Sequence, residues 1–449
     1  LEKKNNTGAM TQVMTQTGTK ENYLQEFAAF SPLYGNTFTA LRKSSMEAFK
    51  QHGFPGQKHE EWKYFNLAPL LQERFTIATA SVKSNITREM VARYKVAGEN
   101  AIMLVFVNGI FRPDLSDTDK NKTITAGSIL NHETEDFIGK SGDVNEEPFL
   151  ALNNAFFSDG ACIRIPAGAR VENPVHILHL NDSRTEQTAS FPRNLIIAEK
   201  NSKAQVIATY HSLTPDKHSF CNAVTELFLN PGSFLELDIK QNEEASSFHI
   251  GQVYASLQRD CTFDICTVTL GGGMVRNNLL IRLNDTNCTA HLNGLTLAGG
   301  NQVVDHHTVV DHASPGCYSN QLYKGIFDGH AHGVFNGKIL VRRDAQKTNA
   351  YQSNKTVLLS HDAVMNAKPQ LEIFADDVKC SHGATTGQLD EDALFYFRAR
   401  GIGEQDAKAL LNFAFASDVI QKINNDSMKE NVLKLLSEKL HAQIEFDLG

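Results

Sequence analysis

Cys380 and His382 are the pair whose residue types and spacing best suit metal chemistry in this chain, in the run Val378-Lys-Cys-Ser-His-Gly-Ala-Thr-Thr-Gly. In an extended segment residues i and i+2 share a face, so a strand here presents a thiol and an imidazole side by side. That donor pair suits zinc, iron or an iron–sulfur fragment, but two donors fall short of a complete coordination shell. The competing reading makes Cys380 a small buried hydrophobe and His382 a polar residue at a strand end.

A second cluster is Asp305-His306-His307 with Asp311-His312, and His330 and His332 repeat the i, i+2 spacing. A stand-alone metal-dependent hydrolase would use His306, His307 and Asp311 around an activated water. Stacked polar residues on the outer face of a solenoid are the favoured reading, because no spacing here matches a zinc motif. Gly271-Gly272-Gly273 lacks the Lys-Ser/Thr that follows a phosphate-binding loop, and no Gly-x-Ser-x-Gly elbow is present.

These residues need elements to hold them. From Ala161 the chain reads as strand after strand, with Pro231-Gly232, Asn284-Asp285, Gly299-Gly300 and Asp328-Gly329 as turns. Similar segments begin near Phe248, Cys261, Val275, Cys288, Gln302, Cys317, Ala331 and Ala345, at steps of roughly 13 to 15 residues. Each step is expected to hold two short strands and a turn. Such a unit cannot bury its apolar face alone, so a parallel β-helix is the leading architecture and a sandwich the alternative. A solenoid has exposed ends, and these need caps or partners.

Helical patterns flank this region. Tyr23, Leu24 and Phe27 form one stripe, and Phe38, Leu41, Ala48 and Phe49 another, stopped by Gly53 and Pro55. His59-Glu60-Glu61-Trp62-Lys63-Tyr64 reads as a docking strip between helix and sheet. Downstream, Asp390, Glu391 and Asp392 open a helix that Gly401 closes. A second helix starts near Gly403, with Ala407, Leu410, Leu411 and Ala414 as its apolar stripe. The expected division is 1–20 loose or left over from expression, 21–100 helical, 101–160 connecting, 161–386 β-helix and 387–449 helical.

Net charge is −8 with no basic tract, which argues against a nucleic-acid grip. Seven cysteines without a framework point to a reducing compartment, and no apolar run is long enough to cross a bilayer, so the expected location is cytoplasmic. A secreted β-helix carbohydrate-active enzyme is correspondingly disfavoured.

Several runs closely resemble the SufB/SufD family of the SUF iron–sulfur cluster assembly system. They are Asp377 to Thr385, Leu394-Phe-Tyr-Phe-Arg-Ala-Arg-Gly-Ile402, Ala407 to Ala416, Glu60 to Leu67, Asn320 to Lys338 and Ser353-Asn354-Lys355. The B-type branch looks to carry a functional cysteine within the Leu-Phe-Tyr-x-Arg motif, where Phe397 stands here, so the resemblance is to the D-type branch. It implies a right-handed parallel β-helix between helical segments, and a non-catalytic scaffold subunit rather than an enzyme. It implies a SufB-like partner and a SufC-like ABC-type ATPase, and leaves open whether the chain forms a homodimer when neither is present. Cys380 and His382 would hold iron or a nascent cluster, transiently and shared across the subunit interface, with none expected in the isolated chain. Arg398, Arg400, Asp406, Leu410 and Phe413 would dock the ATPase.

Overall fold

The computed structural model describes residues 18–34, 38–81, 84–120, 123–213 and 216–440. The loose stretch expected at 1–20 lies almost wholly outside these residues, as does the end of the C-terminal segment.

The alternating apolar pattern becomes a parallel β-helix of about eight turns, with 40% of the chain in strands. One sheet runs through Ala161–Ile165, Arg193–Ala198, Ser219–Leu229, Ser247–Leu257, Met274–Leu283, Val303–His312, His332–Val341 and Val364–Ile373. The other runs through Ile102–Val107, Val175–Asp182, Lys203–Leu213, Phe234–Gln241, Thr262–Thr269, Thr289–Ala298, Tyr318–Phe327, Asn349–Leu358 and Lys379–Gly387. Consecutive strands alternate between sheets. Each repeat step is therefore one long strand and a corner, not the two short strands expected, and two steps complete a coil. The stack also begins ahead of residue 161, because Ile102–Val107 pairs in parallel with Val175–Asp182.

One corner shows how the sequence closes each coil. Gly168, Asn201, Gly232, Asp260, Asn287, Gly316 and Lys347 all have positive φ. The N–H of each donates to a carbonyl one coil further on, as in Asn201 to Pro231 and Asp260 to Thr286, both at 3.0 Å. Glycine, Asn and Asp tolerate this left-handed conformation, which explains the turn residues. The residue after each is small, half-buried at Ala169 and buried in the later coils: Ser202, Ser233, Cys261, Cys288, Cys317 and Thr348. Three cysteines are thus corner residues. Their thiols donate to main-chain carbonyls of an earlier coil, Cys261 to Asn230 at 3.1 Å and Cys288 to Gln258 at 3.0 Å.

Period-two alternation divides each strand between the lumen and an outer face. The lumen is apolar along much of its length, with Ile163, Ile196, Leu227, Leu257, Phe263, Ile281 and Leu292 in contact. Both outer faces are covered. N-terminal helices, including Thr39–His52 and Pro148–Phe156, pack Phe49, Phe149 and Phe156 towards Phe220, Phe248 and Met274. C-terminal helices Glu404–Ile420 and Asp426–Lys439 pack Phe413, Val419 and Val432 towards Val268, Leu295 and Ile326. The buried face of the first differs from the expected stripe: Ala407, Ala409, Phe413 and Ala416 are buried, whereas Leu410 and Leu411 are half-buried and Ala414 exposed. No helix among the described residues is long and apolar enough to cross a membrane.

The docking strip crosses the outer face of the first sheet. Trp62 is buried under the Arg276 guanidinium, 3.7 Å from its ring centroid. Arg276 donates to the Glu61 carbonyl at 2.8 Å and to Asp305 at 2.7 Å. Asn336 donates to the Glu61 carboxylate at 2.8 Å, and Lys368 pairs with Glu60 at 2.5 Å. One short segment therefore straps four successive coils.

Candidate functional site

Cys380 and His382 lie on Lys379–Gly387, the last strand of its sheet. In register, Cys380 sits over Ala350 and His382 over Gln352. Ala350 belongs to the apolar cluster of Ile339, Val341, Ala345 and Ala375, and Cys380 packs against it, so both site residues share the lumen-side face. Cys380 is half-buried, and burial raises its thiol pKa above the ordinary value, partly offset by a hydrogen bond at Ala350. His382 is exposed.

The surroundings explain why this pair differs from the buried polar residues behind it. Among the described residues no strand pairs with the far side of Lys379–Gly387 or of Val364–Ile373. Neither strand has a buried residue, whereas the strands before them, His332–Val341 and Asn349–Leu358, bury half or more of theirs. Val364, Ile373 and Phe374 stand exposed at this end, Phe374 at 62%. Inside the lumen, both amide atoms of Gln352 and the carbonyl oxygen of Asn354 are buried without a hydrogen-bond partner among the described residues. Lys379 N–H donates inward to Thr348 at 2.9 Å. The alternation of a β-ladder then turns the N–H groups of Cys380, His382, Ala384 and Thr386 to the free edge.

Among the described residues no group of three or more His, Cys, Asp and Glu could hold a metal ion. The pair can contribute one thiolate and one imidazole, and further ligands must come from another chain or from solvent.

The histidine cluster does not converge. His306 bonds Thr296 at 2.9 Å inside the lumen, and His312 bonds Ser319 at 2.9 Å. Burial pushes both imidazoles down to about 4, so they are neutral. His307 faces outward between Glu61 at 3.2 Å and Asp305 at 3.0 Å, fixing the strap. Asp311 accepts from Arg282 and Arg342 at 3.0 and 2.7 Å. His330 faces Asp362, and His332 bonds Asn366. A residue-by-residue alternation sends neighbouring ligand types to opposite faces, which the sequence spacing alone did not resolve.

The Glu391–Ala399 helix follows the site strand and has no buried residue. Asp390 caps it, accepting from the N–H groups of Asp392 at 2.9 Å and Ala393 at 3.1 Å. Its exposed residues include Phe395 at 74% and Tyr396 at 54%. Arg400 lies 3.4 Å from the Tyr396 ring centroid, and Arg398 reaches Glu404 at 3.7 Å. Arg400 and Asp406 are exposed and Leu410 is half-buried, on or near this surface. Phe413 instead packs against the solenoid and holds its helix in place. A groove of about 620 Å³ separates the helix from the last corners, lined by Asp328, Leu359, His361, Leu394, Phe395 and Arg398. Phe395, Tyr396, Phe374 and Gln352 were not singled out from the sequence. Two adjacent aromatics in a helix without an apolar stripe were the available signal for the first two.

Two family models account for nearly the whole described chain. The SufBD N-terminal region matches residues 19–177, and the SufBD core domain of SUF-system FeS cluster assembly matches 179–415. A Synechocystis iron–sulfur cluster assembly SufBD family protein is 31% identical, covering 96% of this chain and 97% of its own length. The Escherichia coli iron–sulfur cluster assembly protein SufD is 30% identical over 93% and 97%. The Bacillus subtilis protein of the same name is 24% identical over 71% and 72%.

Proposed function

The chain belongs to the SufBD family of SUF-system iron–sulfur cluster assembly proteins, with its SufD-type members, and we propose that it is a scaffold subunit completed by a second β-helix. The observation that carries this reading is the end of the solenoid, where among the described residues no strand pairs with the far side of the last two strands. It puts two soft and borderline metal donors, a row of unpaired main-chain groups and exposed apolar side chains on one surface. A SufB-like subunit presenting its own free edge would extend the sheets and supply the missing donors. Iron, or a nascent cluster, is the cargo of this seam. The Cys380 thiolate and His382 imidazole form one half-site, and the partner forms the other.

The Glu391–Ala399 helix is the proposed dock for a SufC-like ATPase. Phe395 and Tyr396 offer apolar area, and Arg398, Arg400 and Asp406 offer a polar rim, the usual anatomy of an interface. The site strand and the helix are joined by the short segment 388–390. ATPase movement could therefore be transmitted to the seam, which suits a nucleotide-gated scaffold.

Co-expression with SufB-like and SufC-like chains, followed by sizing, tests the assembly. A complex of all three is expected, and a chain that ignores both partners would overturn the reading. Within that complex, Cys380→Ala with His382→Ala should abolish cluster formation while assembly persists. Full cluster yield in the double variant would remove these residues from the site.

A further inference from the structure

Directly behind the seam, the lumen holds a polar side chain that the described chain leaves unsatisfied. Gln352 is 3% exposed, and neither its amide nitrogen nor its oxygen has a hydrogen-bond partner among the described residues. Carboxamides deeper in the lumen are served. Gln241 accepts from Thr269 at 2.8 Å and from Asn277 at 2.9 Å, and donates back to Asn277 at 2.9 Å. Gln321, one coil behind Gln352, accepts from Thr308 at 2.7 Å. An amide buried without partners lowers stability, so its presence calls for a group that it meets in another state.

The fold makes room for this amide. Gly337 lies across the lumen, and a Cβ there would come within 2.2 Å of the Gln352 nitrogen. In register, Gln352 has Gln321 on one side and His382 on the other. Strands in a sheet run about 4.7–4.9 Å apart, so same-face side chains on these three coils stack. Asn354 and Thr356 repeat the pattern behind Ala384 and Thr386, each with a buried oxygen unpartnered among the described residues. Unmet polar atoms therefore line up under the free strand.

A neutral imidazole has one N–H and one bare nitrogen. When the bare nitrogen binds a metal, the N–H needs an acceptor, and that acceptor fixes the tautomer and the ring orientation. The Gln352 oxygen is the buried acceptor directly behind the ring. Its nitrogen can then donate to the Gln321 oxygen, which keeps a second lone pair beside Thr308. Both polar atoms of Gln352 are satisfied in that chain.

We infer that Gln352 is a positioning residue for His382: its oxygen accepts the ring N–H and turns the opposite nitrogen to the seam. The inference rests on the scaffold reading above, in which His382 offers an imidazole to iron or a nascent cluster.

Two measurements test it. In the full chain alone, Gln352→Leu should raise the urea unfolding midpoint, because it removes a buried polar group that the isolated fold does not satisfy. Gln352→Met, unbranched and close in length, repeats the measurement should Leu not fit. A lower midpoint in both would make the amide a structural one and overturn the inference. In the complex with SufB-like and SufC-like chains, Co2+ is titrated and followed by its sulfur-to-cobalt charge-transfer absorption. Gln352→Leu should weaken binding about tenfold or more. In a His382→Ala background it should add nothing, since it acts through that ring, and an equal loss there would overturn the inference. Parent affinity in Gln352→Leu beside weakened binding in His382→Ala would also overturn it, and would leave the scaffold reading in place. Parent affinity in His382→Ala would remove that residue from the site, and this inference with it.

Discussion

At the scale of single residues, burial decides which polar groups shape stability. Arg193 and Glu226 form an ion pair at 2.6 Å with both side chains fully buried. The Arg193 fork also donates to Asn153 at 3.1 Å and Asn154 at 2.7 Å. It thereby ties the Pro148–Phe156 helix to the first sheet. Replacing one member leaves an uncompensated charge, so Glu226→Gln should cost about 3–5 kcal/mol in urea unfolding. Glu147 illustrates the opposite case. Burial raises its carboxyl pKa to about 7, despite a hydrogen bond from Tyr254. The folded state holds that proton more tightly than the unfolded chain. The contribution is full below the unfolded carboxyl pKa and is lost as pH rises through 7. Buried neutral histidines act with the other sign. His176 and His179 are pushed down to about 3, so stability falls as pH drops below their unfolded pKa near 6.5. The histidines outnumber Glu147, so the wild-type profile rises from acid toward neutral pH. The Glu147→Gln minus wild-type difference should isolate the carboxyl. Relative to wild type, the variant should gain stability between pH 5 and 8, by on the order of 3 kcal/mol.

At the scale of elements, the two C-terminal helix systems are held very differently. Glu404–Ile420 is fastened to the solenoid by apolar burial and by Lys324, which bonds the Phe415 carbonyl at 2.6 Å and Asp418 at 2.5 Å. Asp426–Lys439 is capped by Asn425, which accepts from Met428 N–H at 2.9 Å. Removing that cap as Asn425→Ala should lower global stability by about 1 kcal/mol, read from the chemical-denaturation midpoint. Glu391–Ala399 has no buried side chain, so the same kind of change there should stay local. Asp390→Ala should speed amide exchange across 391–400 and weaken ATPase capture, with the unfolding midpoint hardly moved. A large midpoint shift would mean that this helix is part of the cooperative core.

At the scale of the whole molecule, the fold is asymmetric. Helical segments cover both outer faces, but among the described residues the last coil ends in an open edge. Such an edge pairs with another strand unless something blocks it. Ala384 has its N–H on the free side, so Ala384→Pro should remove an intermolecular donor without breaking the ladder to Asn349–Leu358. It should reduce binding to a SufB-like chain, and any self-association, at unchanged monomer stability. Sizing across a concentration series with and without the partner reads both, and undiminished binding would move the interface elsewhere.

Much of this was legible in the sequence because it depends on local rules. Strand alternation, the turn residues at the corners, the Asp390 cap and the stop at Gly401, with φ of 85°, follow from period, backbone sterics and capping chemistry. The i, i+2 rule placed Cys380 and His382 on one face without a structure. The same rule, applied to Asp305-His306-His307, needed the tertiary fold to say which face was lumen and which was strap. Register decided the rest. Only the stacking of coils places Gln352 beneath His382, because residues about 30 positions apart become neighbours through ladder pairing, which no local propensity encodes. Only the end of the stack leaves the far side of the final strand without a partner strand among the described residues. The sequence determined the donors and the repeating unit, while the long-range pairing decided which donors meet, which are buried and which are left open to a partner.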